Sequence, residues 1–346
     1  MKLGLGLGYW GSGQPEGQAE LVALAEELDY DSVWTAEAYG SDALTPLAWM
    51  GAATTKLRLA TGIVQLSART PTATAMAAMT IDHLSGGRML LGIGASGPQV
   101  VEGWYGQPYP KPLARTREYV EILRRTFARE IVKHAGEFYQ LPYDGLTGPR
   151  SSGLGKPLRS TLHPVRDQIP ILLAAEGPKN VAVAAEIADG WIPLFYSPQI
   201  APFYDDALAE GFARPGARRT PDDFEIACSV NVVVDDDLER AADRLRPFLA
   251  LYIGGMGARG ANFHFDAVAR LGYEAECTTI QDLYLEGRKE EAAATVPLSL
   301  VEKVALIGPK EKIRDDLAAW HESRVTTLVV SGGADTMRLI AELVQR

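Results

Sequence analysis

Eight short apolar segments, each followed by a segment with apolar residues at helical spacing, predict an α/β fold, a (β/α)8 TIM barrel. The chain has 346 residues, a length that suits such a barrel with insertions. An open, doubly wound sheet is the competing architecture, and its usual signal is a GxGxxG loop after the first strand. Gly4, Gly6 and Gly8 lie inside the first apolar segment instead, and no such loop follows. The barrel is therefore favoured.

The predicted strands are apolar runs that alternate with helices along the chain. This alternation favours parallel pairing through helical crossovers, and eight is the number of strands that closes a (β/α)8 barrel. In chain order the strands are expected at residues 3–8, 31–37, 57–66, 89–95, 169–176, 190–196, 224–234 and 325–332.

The predicted helices show apolar residues three and four positions apart. The third begins at Pro71, where a missing N–H costs nothing, and ends at Gly86-Gly87. In chain order the helices are expected at residues 15–28, 45–54, 71–84, 113–131, 177–187, 198–212 and 336–344.

Two segments exceed a simple strand–helix unit, so residues 1–346 are expected to form one barrel domain with two insertions. The first, about 132–168, comes after strand 4 and its helix and contains a short strand-like stretch. The second, about 235–323, comes after strand 7, is largely helical and holds a glycine-rich run at 252–263. Long insertions in compact domains are usually lids or pocket walls.

Composition excludes several classes of protein. The formal net charge of −10 argues against nucleic acid binding, which needs clustered Lys and Arg. No apolar run is long enough to span a membrane or to resemble a signal peptide, so a cytoplasmic location is expected. Cys228 and Cys277 are far apart and lie in no CxxC pattern, which argues against a zinc site or a disulfide framework.

The charge is unevenly distributed along the chain. Residues 111–170 hold eleven Lys or Arg and six Asp or Glu, a local charge of +5. Such a stretch in an acidic protein could attract an anionic ligand, and the alternative is an ordinary solvated surface.

The residues that follow the predicted strands are polar, aromatic or glycine-rich, and barrel enzymes place their active sites at these strand ends. The ends offer no Ser-His-Asp set and no histidine cluster for a metal, which suggests that a cofactor supplies the chemistry. Two of them, Ser96–Gln99 and Gly177–Asn180, could bind phosphate with free backbone N–H groups. Both could equally be ordinary turns.

Five motifs carry a resemblance to a known family: TGIVQL (61–66), HLSGGRMLLGIGASGPQVVEGWYG (83–106), AAEGPKN (174–180), ADGWIP (188–193) and LIGPKEKIRDDLAAW (306–320). With them the chain resembles the luciferase-like superfamily of flavin and deazaflavin enzymes, and within it the actinobacterial F420-dependent oxidoreductases. The resemblance covers nearly the whole chain and is weakest over residues 235–297.

The resemblance implies a site for coenzyme F420. Relatives carry a non-prolyl cis peptide bond behind the deazaflavin ring, and the matching bond here is Gly62–Ile63. The residues implied in cofactor binding are Glu37, Thr61, Gly62, Ile63, Gln65, Leu66, Ser96, Gly97, Pro98, Gln99, Ala175, Glu176, Gly177, Pro178, Lys179, Asn180 and Val181.

The chain departs from the family's sugar-phosphate dehydrogenases at the catalytic positions. Their second strand ends in Asp followed by a catalytic His, whereas this chain has Glu37 and Ala38. Their catalytic Glu after the fourth strand has no match in the SGPQ stretch. Glu37 and Tyr39 are the nearest candidates for a catalytic role, and lining the pocket or binding cofactor is the alternative for both.

The function expected from the resemblance is hydride transfer between C5 of F420 and a small organic substrate, an alcohol, an enone or an imine. An FMN-dependent monooxygenase and a non-catalytic flavin-binding relative are the alternatives. The basic stretch at 111–170 favours F420, because its oligoglutamate tail is more anionic than FMN. A homodimer is expected from the family alone.

Overall fold

The computed structural model describes residues 1–8, 10, 13, 15–145 and 150–344. The strands within these ranges are short, as in other parallel barrels. They are β1 (Lys2–Gly6), β2 (Ser32–Thr35), β3 (Arg58–Thr61), β4 (Val64–Gln65), β5 (Met89–Gly94), β6 (His134–Ala135), β7 (Gln140–Leu141), β8 (Ile171–Ala174), β9 (Gly190–Ile192), β10 (Glu225–Val234), β11 (Ala305–Gly308) and β12 (Thr327–Ser331).

Parallel pairing closes the sheet into a barrel, which confirms the predicted fold. Around the barrel the order is β1, β2, β3 with β4, β5, β8, β9, β10 and β12, and β12 pairs again with β1. Each of the eight predicted strands forms one stave, that is, one of the eight strand positions around the barrel. β3 and β4 together form the third stave.

The third stave is interrupted, whereas the sequence predicts one continuous strand over residues 57–66. The interruption falls at the Gly62–Ile63 peptide bond, which is cis. The backbone there is satisfied by the end of β2 rather than by a regular ladder. Gly62 N–H donates to Thr35 O at 2.7 Å, and Glu37 N–H donates to Ile63 O at 3.2 Å.

The helices follow the strands as predicted, and their ends carry the expected signals. Thr70 caps the helix that begins at Pro71, and Gly86 ends it in the left-handed conformation (φ 69°). In chain order the helices of the described ranges are α1 (Gln18–Glu27), α2 (Leu44–Gly51), α3 (Pro71–Ser85), α4 (Pro98–Gly103), α5 (Pro112–Phe127), α6 (Pro178–Ile187), α7 (Ala201–Phe212), α8 (Leu238–Asp243), α9 (Arg246–Ala250), α10 (Phe263–Val268), α11 (Glu274–Leu285), α12 (Lys289–Thr295), α13 (Leu298–Val304), α14 (Lys310–Glu322) and α15 (Ala334–Val344).

The first insertion contains a small β element, as predicted, but it is an antiparallel hairpin of β6 and β7 rather than one strand. Residues 146–149 of this insertion lie outside the described residues. The second insertion folds into α8–α14 with the π-helical turns Leu251–Gly255 and Ala269–Tyr273. It also contains β11, which pairs with β10 and which the sequence did not predict because four residues between two helices carry no periodicity.

A layer of side chains fills the barrel interior. Trp34 is the largest of them, and its indole lies over Gly4, where a Cβ atom would stand 2.6 Å from the ring nitrogen. The other members come from neighbouring staves: Ala60, Leu90, Leu172, Ile192, Ala227 and Val329.

Ion pairs close the opposite, amino-terminal rim of the barrel. Arg58 at the start of β3 bonds both Asp31 and Glu225, and Glu225 begins β10. Asp189, immediately before β9, accepts from Arg124 at 2.6 Å and from Arg218 at 2.9 Å. These ion pairs stabilise the amino-terminal rim, so a functional site is expected at the carboxyl-terminal rim.

Candidate active site

A cavity opens at the carboxyl-terminal ends of the strands, the rim where barrel enzymes carry out catalysis. It encloses about 1060 Å³, including the space open to solvent at its mouth. Its walls come from the ends of β1, β2, β9, β10 and β12, from Gly62, and from the second insertion.

Small residues above the interior layer create this cavity. Side chains two positions apart on a strand point to the same face. Small residues lie two positions after the members of the interior layer on four strands, so the cavity is open above Trp34, which forms its base. These small residues are Ala36, Gly62, Ser229 and Ser331, which follow Trp34, Ala60, Ala227 and Val329, and all four line the cavity.

The second insertion supplies an apolar wall. Phe248 and Tyr252 lie side by side with ring centroids 4.6 Å apart, and Tyr252 meets the edge of Phe195 at 5.5 Å. Leu245 and Leu249 continue the same wall. The expectation that this insertion forms a pocket wall therefore agrees with its position.

Glu37 is buried beside the cavity, and both of its carboxylate oxygens are engaged. Arg69 Nη1 donates to them at 2.9 and 3.0 Å, Gln65 N–H donates at 2.8 Å, and Ala43 N–H donates at 3.3 Å. A carboxylate held by one cation and two backbone donors has little capacity left for proton transfer. The geometry favours a positioning role.

Gln65 lies next to Glu37 and leaves one polar atom without a partner. Its amide Nε2 donates to the carbonyl of Ala38 at 2.8 Å, whereas the buried Oε1 has no hydrogen bond to any described residue. Tyr39, in contrast, is largely exposed, with its ring 6.5 Å from that of Trp104. The structure brings Glu37 and Gln65 together but leaves Tyr39 on the surface beside Trp104.

The remaining third-strand residues divide into two groups. Gly62 and Ile63 are half-buried at the cis bond that the family resemblance predicted. Thr61 and Leu66 are buried in the core, and the Thr61 hydroxyl bonds the backbone of Gly92 on β5. A direct contact of the Thr61 hydroxyl with cofactor is therefore not what the structure shows, because that hydroxyl already joins two strands.

The loop of Ser96–Gln99 leads from β5 into the short helix α4. Ser96 adopts a left-handed conformation (φ 59°), and its carbonyl accepts from the Tyr109 hydroxyl at 2.8 Å. Burial raises the pKa of Tyr109 to about 12. Gly97 caps α4 without a side-chain hydrogen bond, Pro98 begins the helix, and Gln99 is exposed. The loop therefore offers a ligand backbone N–H groups rather than side chains.

The segment after β8 begins helix α6. Gly177 caps it with no side-chain bond. Apart from its chain neighbours, no atom of the described residues lies within 4 Å of where its Cβ would stand, so a ligand could approach the backbone closely. Pro178, Lys179 and Asn180 form the first turn. Ala175 and Val181, on either side of this segment, are buried.

Two residues of the second insertion reach this turn, and sequence reasoning missed both. Arg270 Nη1 donates to the carbonyl of Glu176 at 3.0 Å, and its guanidinium lies 5.1 Å from the centre of the Phe203 ring. His264 Nδ1 lies 2.7 Å from Glu176 Oε1, a distance suited to an ion pair when the imidazole is protonated, although the ring N–H does not point along a hydrogen bond. They are about 90 residues from Glu176 in sequence, so no local spacing signals the contact.

Part of the basic stretch at 111–170 is engaged in tertiary ion pairs. Three of its arginines pair with acidic residues outside the stretch: Arg117–Glu186, Arg124–Asp189 and Arg166–Asp82. Two of these acids are shared with further arginines, Glu186 with Arg214 and Asp189 with Arg218 and Arg219, so the pairs do not cancel the local positive charge. The three arginines are nevertheless held by the fold and are less available to an anionic tail.

Comparison with known proteins gives consistent matches. The profile of the luciferase-like monooxygenase family matches residues 6–327. A Mycobacterium tuberculosis protein assigned as a coenzyme F420-dependent oxidoreductase is 56% identical over 346 residues, 99% of each chain. The 5,10-methylenetetrahydromethanopterin reductase of Archaeoglobus fulgidus is 26% identical over 89% of this chain and 87% of its own.

A solved structure matches the fold over nearly its whole length. The coenzyme F420-dependent tetrahydromethanopterin reductase of Methanopyrus kandleri superimposes with a TM-score of 0.80 and 21% identity, covering 99% of this chain and 97% of that one. At this identity the match describes the barrel and its insertions.

Proposed function

Because the chain belongs to the luciferase-like monooxygenase family, we propose that it is a coenzyme F420-dependent oxidoreductase that exchanges a hydride with a small organic substrate. The relative that is 56% identical, assigned as F420-dependent, supports the cofactor. One structural observation carries the proposal: no described residue that lines the cavity is Asp, Glu, Lys, Arg or His. Redox chemistry in such a cavity requires a bound group.

The residues present fit the parts of F420. The side-chain-free position of Gly62 and the mainly apolar cavity suit an aromatic tricycle. The buried and unpaired Oε1 of Gln65, three residues along the same interrupted strand, is an acceptor that a bound cofactor could satisfy. The uncapped start of α6 suits a phosphodiester, because the first N–H groups of a helix carry partial positive charge. Arg270 adds a cation beside that helix start.

Bound F420 supplies the hydride donor or acceptor at C5 of its deazaflavin. Gly62 and Ile63 would support the ring at the cis bond, and the wall of Phe195, Phe248 and Tyr252 would exclude water from the cavity. Glu37 acts indirectly in this proposal, because it aligns Gln65 and the end of the third stave. Tyr39 is exposed outside the residues that line the cavity, which favours a role in bordering the cofactor over a role in proton transfer.

Fluorescence titration of the purified protein tests the proposal directly. Coenzyme F420 is expected to bind more tightly than FMN at the same salt concentration. Tighter binding of FMN would overturn the F420 assignment and favour an FMN-dependent monooxygenase. Absence of binding to either would favour a protein without flavin chemistry.

We also propose that the protein is a homodimer. Trp49 on α2 and Met76 on α3 are exposed apolar side chains on helices in mutual contact, a feature typical of a protein–protein interface. A mass of one chain by light scattering would contradict this.

No helix within the described ranges has the length and apolar character needed to cross a membrane.

A further inference from the structure

Three polar side chains project into the cavity from neighbouring staves. Ser229 and Asn231 lie two positions apart on β10, so they face the same way. Ser331 on β12 is the register partner of Asn231. All three line the cavity on the side formed by β10 and β12.

None of these side chains is tied into the hydrogen bonding of the fold. Among the described residues, the hydroxyls of Ser229 and Ser331 and the amide of Asn231 make no hydrogen bond, and all three side chains are half-buried or exposed. The Thr35 hydroxyl, also in the cavity wall, differs, because it donates to the Ala43 carbonyl at 2.6 Å. Unpaired donors and acceptors that converge in an otherwise apolar cavity are typical of a ligand site.

The cavity around this cluster carries no charged side chain among the described residues that line it. An ionised substrate group would lose its water there without gaining a counter-ion, which is strongly unfavourable. A neutral oxygen would instead find hydroxyl and amide partners. The apolar wall of Leu245, Phe248 and Leu249 would cover the rest of such a molecule.

We propose that Ser229, Asn231 and Ser331 form the substrate subsite, and that the substrate is an uncharged, mainly apolar ketone or secondary alcohol whose oxygen they bind. This inference rests on the proposed function. In the reducing direction the carbonyl carbon would accept a hydride from reduced F420 and the oxygen would take one proton from water, while the cofactor returns its ring N–H proton to water, giving the alcohol and oxidised F420. The three side chains would hold the oxygen on the side of the cavity formed by β10 and β12.

A panel of matched ligands tests the substrate class. Each neutral cyclic or linear ketone, such as 4-methylcyclohexanone, is paired with an analogue bearing a carboxylate, such as 4-oxocyclohexanecarboxylate. Dissociation constants are measured by calorimetry on the F420-loaded protein, alongside the change in F420 absorbance. The neutral member is expected to bind at least tenfold more tightly in most pairs. If no neutral member is preferred, the substrate class is wrong.

Substitutions in the cluster test the residues. Asn231→Leu and Ser331→Ala are each expected to raise the dissociation constant of the preferred ketone about three- to tenfold, the effect of one lost neutral hydrogen bond. Affinity for F420 should be unchanged, which also shows that the variants fold. Ser299→Ala, which removes an exposed hydroxyl from α13, is the control and should change neither constant.

The outcomes separate this inference from the proposed function. A weaker F420 affinity with unchanged ketone binding would place the cluster against the cofactor and overturn the substrate subsite, while leaving the F420 assignment intact. Failure of the unmodified protein to bind F420 would remove the proposed function and this inference with it.

Discussion

At the scale of single residues, Glu37 is an expected catalytic group whose contacts favour a positioning role. Its position after β2 makes it available to the active-site rim, yet four donor contacts occupy its carboxylate. Its side chain is 4% exposed, and that of its partner Arg69 is 24% exposed. These contacts hold both carboxylate oxygens in place, which suits a residue that positions its neighbours.

Glu37→Gln should destabilise the protein by about 1–3 kcal/mol, because Arg69 and two backbone donors lose a charged acceptor. The measurement is the free energy of unfolding in urea, together with affinity for F420, which should fall as Gln65 loses its alignment. Asp42→Asn is the matched control, since Asp42 lies 3.8 Å from the same guanidinium but is more exposed. Loss of turnover with unchanged stability and F420 affinity would instead support a catalytic role for Glu37.

At the scale of elements, the second insertion connects two parts of the site. Its segment Arg246–Tyr252 forms the cavity wall, and its segment around α10 carries His264 and Arg270 to the start of α6. The helix start alone provides a weak anion site, because its partial charge is small. A guanidinium beside it strengthens the site, since phosphate and guanidinium form charge-assisted hydrogen bonds.

Arg270→Gln should therefore weaken F420 binding by about 1–1.5 kcal/mol, several-fold in Kd, and reduce its dependence on salt. Titration of both proteins across a salt series measures the effect. Arg324→Gln is the control, because Arg324 pairs with Asp205 near the amino-terminal rim. An equal loss in the two variants, or none in Arg270→Gln, would show that Arg270 only supports the insertion.

At the scale of the whole molecule, the two rims of the barrel divide stability and function. The amino-terminal rim holds buried carboxylates among arginines, and the carboxyl-terminal rim holds the open cavity. Burial alone would raise the pKa of Asp189, but Arg124 and the Ile171 N–H outweigh it and hold the pKa below its usual value. Burial also acts to raise the pKa of Glu225, but the hydrogen bond and the charge of Arg58 outweigh it, so the pKa of Glu225 lies below its usual value.

Carboxyl groups with lowered pKa values stabilise the folded state above their unfolded pKa of about 4, and this contribution is lost as pH falls through the folded value. We therefore expect the free energy of unfolding to decline below about pH 4. The hydrogen bond from Arg117 helps to lower the pKa of Glu186 to about 2, so the decline should continue toward that pH. Urea unfolding between neutral and acidic pH measures it.

Asp189→Asn provides the comparison for this pH dependence. The variant should be less stable at neutral pH, because three arginines lose their shared partner, and its stability should vary less between neutral and acidic pH. The same slope in variant and parent would mean that other groups govern acid unfolding.

The barrel and its eight strands could be predicted from the sequence alone, and the resemblance of its motifs to relatives located the cis bond between Gly62 and Ile63. These features are local: apolar runs, helix signals such as Pro71 and Gly86, and motifs contiguous in the chain. The small residues above Trp34 can be read in the sequence. That they line a cavity follows only once it is known which face of each strand points into the barrel.

Which distant groups meet depends on the tertiary structure. Ion pairs with acids elsewhere in the chain engage Arg117, Arg124 and Arg166 of the stretch that is basic in sequence. His264 and Arg270 contact Glu176, and Asn231 lies beside Ser331, although the partners are about 90 to 100 residues apart in the sequence. Periodicity describes neighbours along one helix or strand, whereas such contacts arise from closure of the whole barrel, so no local pattern encodes them.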